Sequence, residues 1–366
     1  MKMTEKPLTP PPGLAVAALM ILRRTLQKAA DSVVPAQLAM FERITGVASG
    51  QVLCELARLG VPDLLADGPL TAAQLADKTK TDAGSMLRAM RGAVAMGVFD
   101  RRSDGRYENN RLSNALRSGD LESVRSFATY FGSKSNVLAW ADIAETMRTG
   151  KNAFERVHKK SVWDWFDEHP DERETFAHAM MGLTLVDAPG IATTYPFGEI
   201  GTLCDVGGGR GTLLSELLLH HPKLRGMLCD APGVLDSAKK LLTQRGVAER
   251  VELVAGNFFD SVPKGADAYS LKNILHDWDD ERSIKILKNV RSAMEPGKKV
   301  LVIEAVVEED NMDFGAMVDL QMMMVCCDGR ERGRKDFERL FDASGFRLTR
   351  IVVAPTLIAV IEGVAV

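Results

Sequence analysis

From Leu14 to about Leu116 the apolar positions recur mainly at three- and four-residue intervals, the spacing that gives a helix one buried face. Leu53, Leu56, Ala57 and Leu59, with Val61 and Leu64 beyond the Gly60 break, form one such stripe. Within the stretch, "LTAAQLADKT" offers Thr71 as the N-cap of a short helix. "DAGSMLRAMRGAVAMGVF" predicts a second helix, opened by Asp82, with Met86, Leu87, Met90 and Val94 apolar. "DRRSDGRYENN" then carries Asp104-Gly105, a hairpin turn signal. Helix, helix and hairpin predict a winged-helix unit. Residues 120–195 read as helical again and are rich in aromatics, among them Phe127, Tyr130, Phe131, Trp140, Trp163, Trp165 and Phe166.

The rhythm changes at Gly201. "TLCDV", "RGMLCD", "VELVAG", "ADAYSL" and "KKVLVIEAVV" are short apolar runs of strand length. Helical patterns intervene in "GTLLSELLLHH", "PGVLDSAKKLLTQRG" and "DDERSIKILKNVRSAM". Strands alternating with helices predict a doubly wound, mainly parallel α/β sheet. After a further helix, "GRKDFERLFDASG", the segment "FRLTRIVVAPTLIAVIEGV" makes two strands around Ala354-Pro355, expected as an antiparallel edge. Four regions follow: a disordered tail over 1–12, where "PLTPPP" cannot propagate a helix, a helical domain over 13–119, a helical linker and lid over 120–195, and the sheet domain over 196–366.

The totals refine this picture. Apolar residues make up 46% of the 366 and charged residues 26%, so a sizeable core can be buried. A formal net charge of -3 excludes a strongly basic chain built to blanket nucleic acid. The five cysteines, Cys54, Cys204, Cys229, Cys326 and Cys327, lack metal-ligand spacing and read as reduced core thiols. The first twelve residues lack the apolar core of a secretory signal, and no window has the length of a membrane span. A soluble cytoplasmic chain is expected.

"CDVGGGRG" is the strongest local signal. It follows a strand and opens a helix, as a nucleotide-binding turn requires. Gly207, Gly209 and Gly211 give G-x-G-x-G, whereas a dinucleotide site would place glycine at Thr212. Asp230 ends the next strand, 19 residues after Gly211, where a carboxylate can accept from both hydroxyls of an adenosine ribose. Asp205, on the first strand, is a candidate for the ligand's amino group through water.

Together with "SLKNILHDWDDE" and "GRERGRKDFERLFDASGF", this loop resembles the S-adenosylmethionine-dependent small-molecule O-methyltransferases, both the plant caffeate/flavonoid type and the bacterial antibiotic type, over about residues 35–363. The resemblance implies a Rossmann-like methyltransferase sheet behind a helical N-terminal dimerisation domain that contains the winged-helix unit. It implies S-adenosylmethionine as cofactor, S-adenosylhomocysteine as product and a homodimer. Gly207, Gly209 and Gly211 match the cofactor glycines and Asp230 the ribose-binding acid. In "GNFF", Phe258 would lie against the adenine, and Asn257 replaces the family's acid. Lys272 and Thr184 match further cofactor contacts. His276 matches the catalytic histidine, with Glu304 and Glu331 as the carboxylates that hold it.

The residues themselves agree with that last assignment. His276 and Glu304 each fall near the carboxyl end of a strand, where open sheets bind ligands, and Asp277 is an alternative partner for the ring. Phe131, Trp140, Phe176, Met180, Met322, Met323 and Cys326 are candidates for the pocket of a small aromatic acceptor. His276 would deprotonate a hydroxyl, phenolic by expectation, that attacks the donor methyl. No metal is expected, since the catalytic loop lacks a carboxylate cluster for Mg²⁺. Three rival readings compete: a relative with drifted chemistry (hydroxylation, decarboxylation or a pericyclic step), a winged-helix DNA-binding regulator, and an NAD-dependent oxidoreductase, the last disfavoured by Thr212.

Overall fold

A computed structural model describes residues 6–9, 13–119, 123–308, 314–356 and 358–366. The chain divides into two compact units. One comprises residues 17–137 and 170–183; the other comprises 138–169 and 184–366 with the described residues before 17. The tail expected over 1–12 lies outside the described residues except for 6–9. There the Leu8 amide donates to Glu216 Oε1 at 2.6 Å, and the Leu8 carbonyl meets His220 Nε2 at 3.2 Å.

The first unit is helical. Its helices include Ala36–Arg58, Ala72–Thr79, Ala83–Ala95 and Arg125–Phe131. Thr71 caps its helix through a full capping box, accepting from Gln74 N while the Gln74 side chain accepts from Thr71 N. Asp82 caps the next helix by accepting from Ser85 N at 2.7 Å. The hairpin pairs β1 (Phe99–Arg101) with β2 (Tyr107–Asn109) antiparallel, and Gly105 supplies the left-handed residue of its turn at φ +85°. Leu56, Val61, Leu75, Met86, Met90, Phe99 and Tyr107 close over one another as this unit's core. Leu19, Ile21, Leu22 and Leu26 of helix Gly13–Ser32, and Leu38, Phe41, Ile44 and Val47 of helix Ala36–Arg58, stay exposed.

The second unit is built on seven strands: β3 (Thr202–Val206), β4 (Arg225–Asp230), β5 (Val251–Ala255), β6 (Ala268–Lys272), β7 (Lys299–Glu304), β8 (Phe346–Val353) and β9 (Ala359–Ala365). They lie in the order β5-β4-β3-β6-β7-β9-β8. The first five are parallel, and the β8–β9 pair closes the sheet antiparallel, as the sequence predicts. Both faces are covered, which explains the near-continuous apolar runs. On one face Leu213, Leu214, Leu217 and Leu218 pack on Leu203, Leu228 and Leu301. On the other, Ile286, Leu287, Val290, Phe337 and Phe341 pack on Cys204, Tyr269 and Val300. Each fully buried leucine is worth about 1.5–3 kcal/mol. That rigid platform carries the carboxyl ends of β3, β4, β6 and β7 on one edge.

Candidate active site

The turn after β3 is shaped by its glycines. Gly207, Gly209 and Gly211 stand at φ +69°, +57° and +77°, a region costly for other residues. A Cβ at 207 would lie 2.5 Å from Ile274, whereas one at 209 would meet nothing within 4 Å and points into open space. Asp230, at the end of β4, braces the turn: Oδ2 accepts from Gly209 N and Oδ1 from Ala231 N, both at 2.7 Å. Burial raises its pKa, and these two amides oppose the rise.

Asp205 lies beneath the turn. It is buried and accepts from Ser270 Oγ at 2.8 Å; burial pushes its pKa up to about 6 against that hydrogen bond. Lys272, ending β6, donates to Thr184 Oγ1 at 3.3 Å and pairs with Asp187 Oδ2 at 3.4 Å, so two expected cofactor residues do meet. Asp187 was not singled out in the sequence; it lies 85 residues from its partner, and no spacing announces it. The Asn257 carbonyl is used locally, accepting from Phe259 N at 2.9 Å. The Phe258 ring would come within 3.5 Å of a Cβ at Gly207, so it borders the turn.

His276 sits in a single helical turn, Leu275–Asp277, just beyond β6, and is 7% exposed. Its Nδ1 lies 2.7 Å from Glu331 Oε1. Nε2 is 3.7 Å from Asp277 Oδ1, too far for a hydrogen bond, so Glu331 is the ring's partner rather than Asp277. Glu304 acts differently from the expectation that both glutamates hold the ring. Its Oε1 accepts from the backbone N–H of Ile274 at 3.2 Å and of His276 at 3.0 Å, gripping the turn and not the imidazole. Burial by itself would lower the His276 pKa, but the charges of Glu331 and Asp277, the Glu331 hydrogen bond and the Glu304 charge overcome it and push it up to about 10. Burial raises Glu304, and the His276 charge opposes that rise.

Arg332 was missed in the sequence. Its fully buried guanidinium donates to the carbonyls of Leu275 and Trp278 at 2.8 Å each, to Asp280 Oδ1 and to Ser283 Oγ. Gly329 is also required here: a Cβ on it would stand 2.1 Å from the His276 carbonyl.

Among the pocket candidates, Trp140 Nε1 donates to Gln321 Oε1 at 2.8 Å, on the same helix, Phe314–Val325, as Met322 and Met323. Met322 is buried and Met323 half-buried. Cys326 is buried, and its carbonyl accepts from Asn152 Nδ2 at 2.6 Å. Phe131, Phe176 and Met180 belong to the other unit, where Phe131 stacks on Phe127 and Phe176 packs edge-on against Tyr130. Among the described residues, no group of three or more His, Cys, Asp or Glu side chains is placed to hold a metal ion, and no helix is long and apolar enough to cross a membrane.

Comparison with known proteins places this geometry. Residues 140–347 match the O-methyltransferase domain and residues 41–119 the O-methyltransferase dimerisation domain. The chain is 37% identical over 330 residues to the phenazine O-methyltransferase PhzM of Lysobacter antibioticus, covering 90% of this chain and 96% of that one. It is 35% identical over 315 residues to the 8-amino-8-demethylriboflavin N,N-dimethyltransferase of Streptomyces davaonensis, covering 85% and 90%. An O-methyltransferase of neocarzinostatin biosynthesis, crystallised with S-adenosylmethionine and 2-hydroxy-5-methyl naphthoic acid, superposes with a TM-score of 0.77 at 31% identity, over 87% of this chain and 96% of that one. With both domains matched and such relatives along most of its length, the chain belongs to the S-adenosylmethionine-dependent O-methyltransferases.

Proposed function

We propose that the protein methylates a hydroxyl, phenolic in character, on an aromatic natural product, with His276 as general base. The observation that carries this reading is the 2.7 Å contact between His276 Nδ1 and Glu331, which leaves Nε2 as the ring's reactive nitrogen on the carboxyl edge of the sheet. The relatives named above act on phenazine and flavin-type ring systems, and the naphthoic acid complex adds a third aromatic acceptor.

The residues fit an adenosyl cofactor. Gly209 opens onto empty space, and Asp230 ends β4 beside it with spare lone pairs on both oxygens. Gly207, Gly211 and Phe258 would border the adenosine, with Asn257 near the adenine; Lys272 and Thr184 would meet the amino-acid end. Asp205, committed to Ser270, would support the turn from beneath. When bound, the cofactor supplies a methyl group activated on a sulfonium sulfur. His276 Nε2 takes the acceptor's hydroxyl proton, and Glu331 holds the ring tautomer and stabilises the imidazolium. Glu304 fixes the height of the ring through the backbone. Trp140, Met322, Met323 and Cys326 would line the acceptor side, where polarizable thioethers suit a flat ring.

The N-terminal helices form the homodimer in this reading. The dimerisation-domain match and the exposed Leu19, Leu22, Leu26, Phe41 and Ile44 support it.

A panel of phenolic acceptors with S-adenosylmethionine, read by mass spectrometry, tests the function. The expected result is a gain of one CH₂ on the acceptor with an equal yield of S-adenosylhomocysteine. Cofactor bound without transfer to any hydroxylated aromatic would overturn it.

A further inference from the structure

The Ile274–Trp278 turn is held from two sides by the buried side chains of Glu304 and Arg332. Glu304 takes its backbone donors, at Ile274 and His276. Arg332 takes its acceptors, the carbonyls of Leu275 and Trp278, one on each side of His276. A guanidinium with no exposed surface is costly to bury and persists only where its donors are used. Here Nη1, Nη2 and Nε all find acceptors, the last on Asp280 Oδ1 at 3.0 Å. The planar fork spans two carbonyls at once, which a lysine ammonium cannot do with the same geometry. The adjacent residue, Glu331, holds the ring. One dipeptide therefore fixes both the imidazole and the backbone that carries it.

We propose that Arg332 is a positioning residue for methyl transfer: its guanidinium clamps the carbonyls flanking His276 and so sets where the ring's Nε2 stands. The proposal rests on the reading of His276 as the base. The charged groups around that ring are Glu331, Asp277 and Glu304, with Arg332 as the cation acting on Glu304. Arg332→Lys keeps the charge and loses the fork. Arg332→Met loses both and leaves the neighbouring carboxylates less compensated, which draws a proton more tightly onto His276.

The test is kinetic, with kcat expressed per cofactor site titrated by calorimetry, so that unfolded protein does not count. Arg332→Lys should lower kcat roughly 10–100-fold, the effect of a misplacement of about an ångström, while cofactor affinity and the rising limb of the pH profile stay in place. Arg332→Met should lower kcat further and move that limb to higher pH. If Arg332→Met does not fold, Arg332→Lys carries the test alone. The same substitution in a His276→Ala background should have little additional effect, because its action runs through the ring. An equal loss in both backgrounds would overturn the clamp and leave the base standing. Near-wild-type kcat in His276→Ala alone would instead remove the base. A lowered melting temperature with unchanged kcat per site in Arg332→Lys would reduce Arg332 to a structural residue.

Discussion

Replacing His276 by alanine separates general-base help from mere proximity. The ring is buried against Glu331 at 2.7 Å, so its geometry is fixed before an acceptor arrives. A positioned base is worth roughly 10²–10⁴ in rate, about 3–5 kcal/mol at 1.36 kcal/mol per decade. Removing the ring also leaves Glu331 Oε1 without its partner, a buried loss of about 1–3 kcal/mol in stability. Activity must therefore be normalised to folded, cofactor-binding protein. The pH dependence sharpens the test. With the His276 pKa pushed up to about 10 by its carboxylates, the ring must shed a proton to act. Wild-type kcat/KM should climb from neutral pH toward that value, by about tenfold per unit at most. In His276→Ala the residual rate should instead follow the acceptor's own ionisation, near pH 10 for a simple phenol. Two acceptors of different acidity tell these apart, since the mutant's limb should move with the acceptor and the wild-type limb should not. Cofactor affinity by calorimetry should be nearly unchanged. Normalised activity within about threefold of wild type at pH 7 would refute the reasoning.

Asp230→Ala should weaken S-adenosylmethionine binding by about 1.5–3 kcal/mol, the worth of hydrogen bonds to a charged group; unchanged affinity by calorimetry would remove its ribose role. Light scattering at micromolar concentration should give a particle of twice the 40.0 kDa chain, and Phe41→Asp should shift it toward the monomer; a 40.0 kDa wild-type particle would contradict the homodimer. Glu362 offers a check on stability. Burial would raise its pKa, but Thr349, the Tyr195 hydroxyl, Arg350 and Lys299 together pull it down to about 2. Such a depressed carboxyl contributes stability above its unfolded pKa and loses it as pH falls through the folded one. On the order of 3 kcal/mol should therefore disappear between about pH 4.5 and pH 2 in the wild type, and acid unfolding of Glu362→Gln should lack that component.

What could be read in the sequence was local. The positive φ at Gly207, Gly209 and Gly211, the N-cap at Thr71 and the turn at Asp104-Gly105 each need only a few neighbouring residues. The mainly parallel sheet with its antiparallel closing pair followed almost as directly, because strand and helix patterns alternate; the order of the strands did not. The site resisted for the opposite reason. His276 and Glu331 are 55 residues apart, and Lys272 and Thr184 are 88 apart; only the resemblance to a family paired the first two. Glu304 was legible as a residue at a strand end but not in its action, since a carboxylate bonding backbone N–H groups leaves no mark at the positions it grips. Arg332 left none at all: its partners Leu275 and Trp278 offer carbonyls that any residue has.

The electrostatics explain why these residues form one unit. His276, Glu304, Glu331 and Arg332 are all nearly or wholly excluded from water, and isolated charges there would each cost several kcal/mol. Each is tolerable only because a partner compensates it: the ring for Glu331, the amides of the turn for Glu304, the carbonyls and Asp280 for Arg332. Even so, Glu304 Oε2 and Glu331 Oε2 find no hydrogen-bond partner among the described residues. Burial opposes a charge on His276, but the charges of Glu331, Asp277 and Glu304 and the Glu331 hydrogen bond outweigh it and raise the ring's proton affinity. Losing Glu304 or Glu331 would change the proton affinity of His276, and the four residues share one turn, so effects of single substitutions at these positions should not sum. In the proposed reading the base is a property of the set: a histidine placed on this edge without Glu304, Glu331 and Arg332 would have neither the same position nor the same basicity.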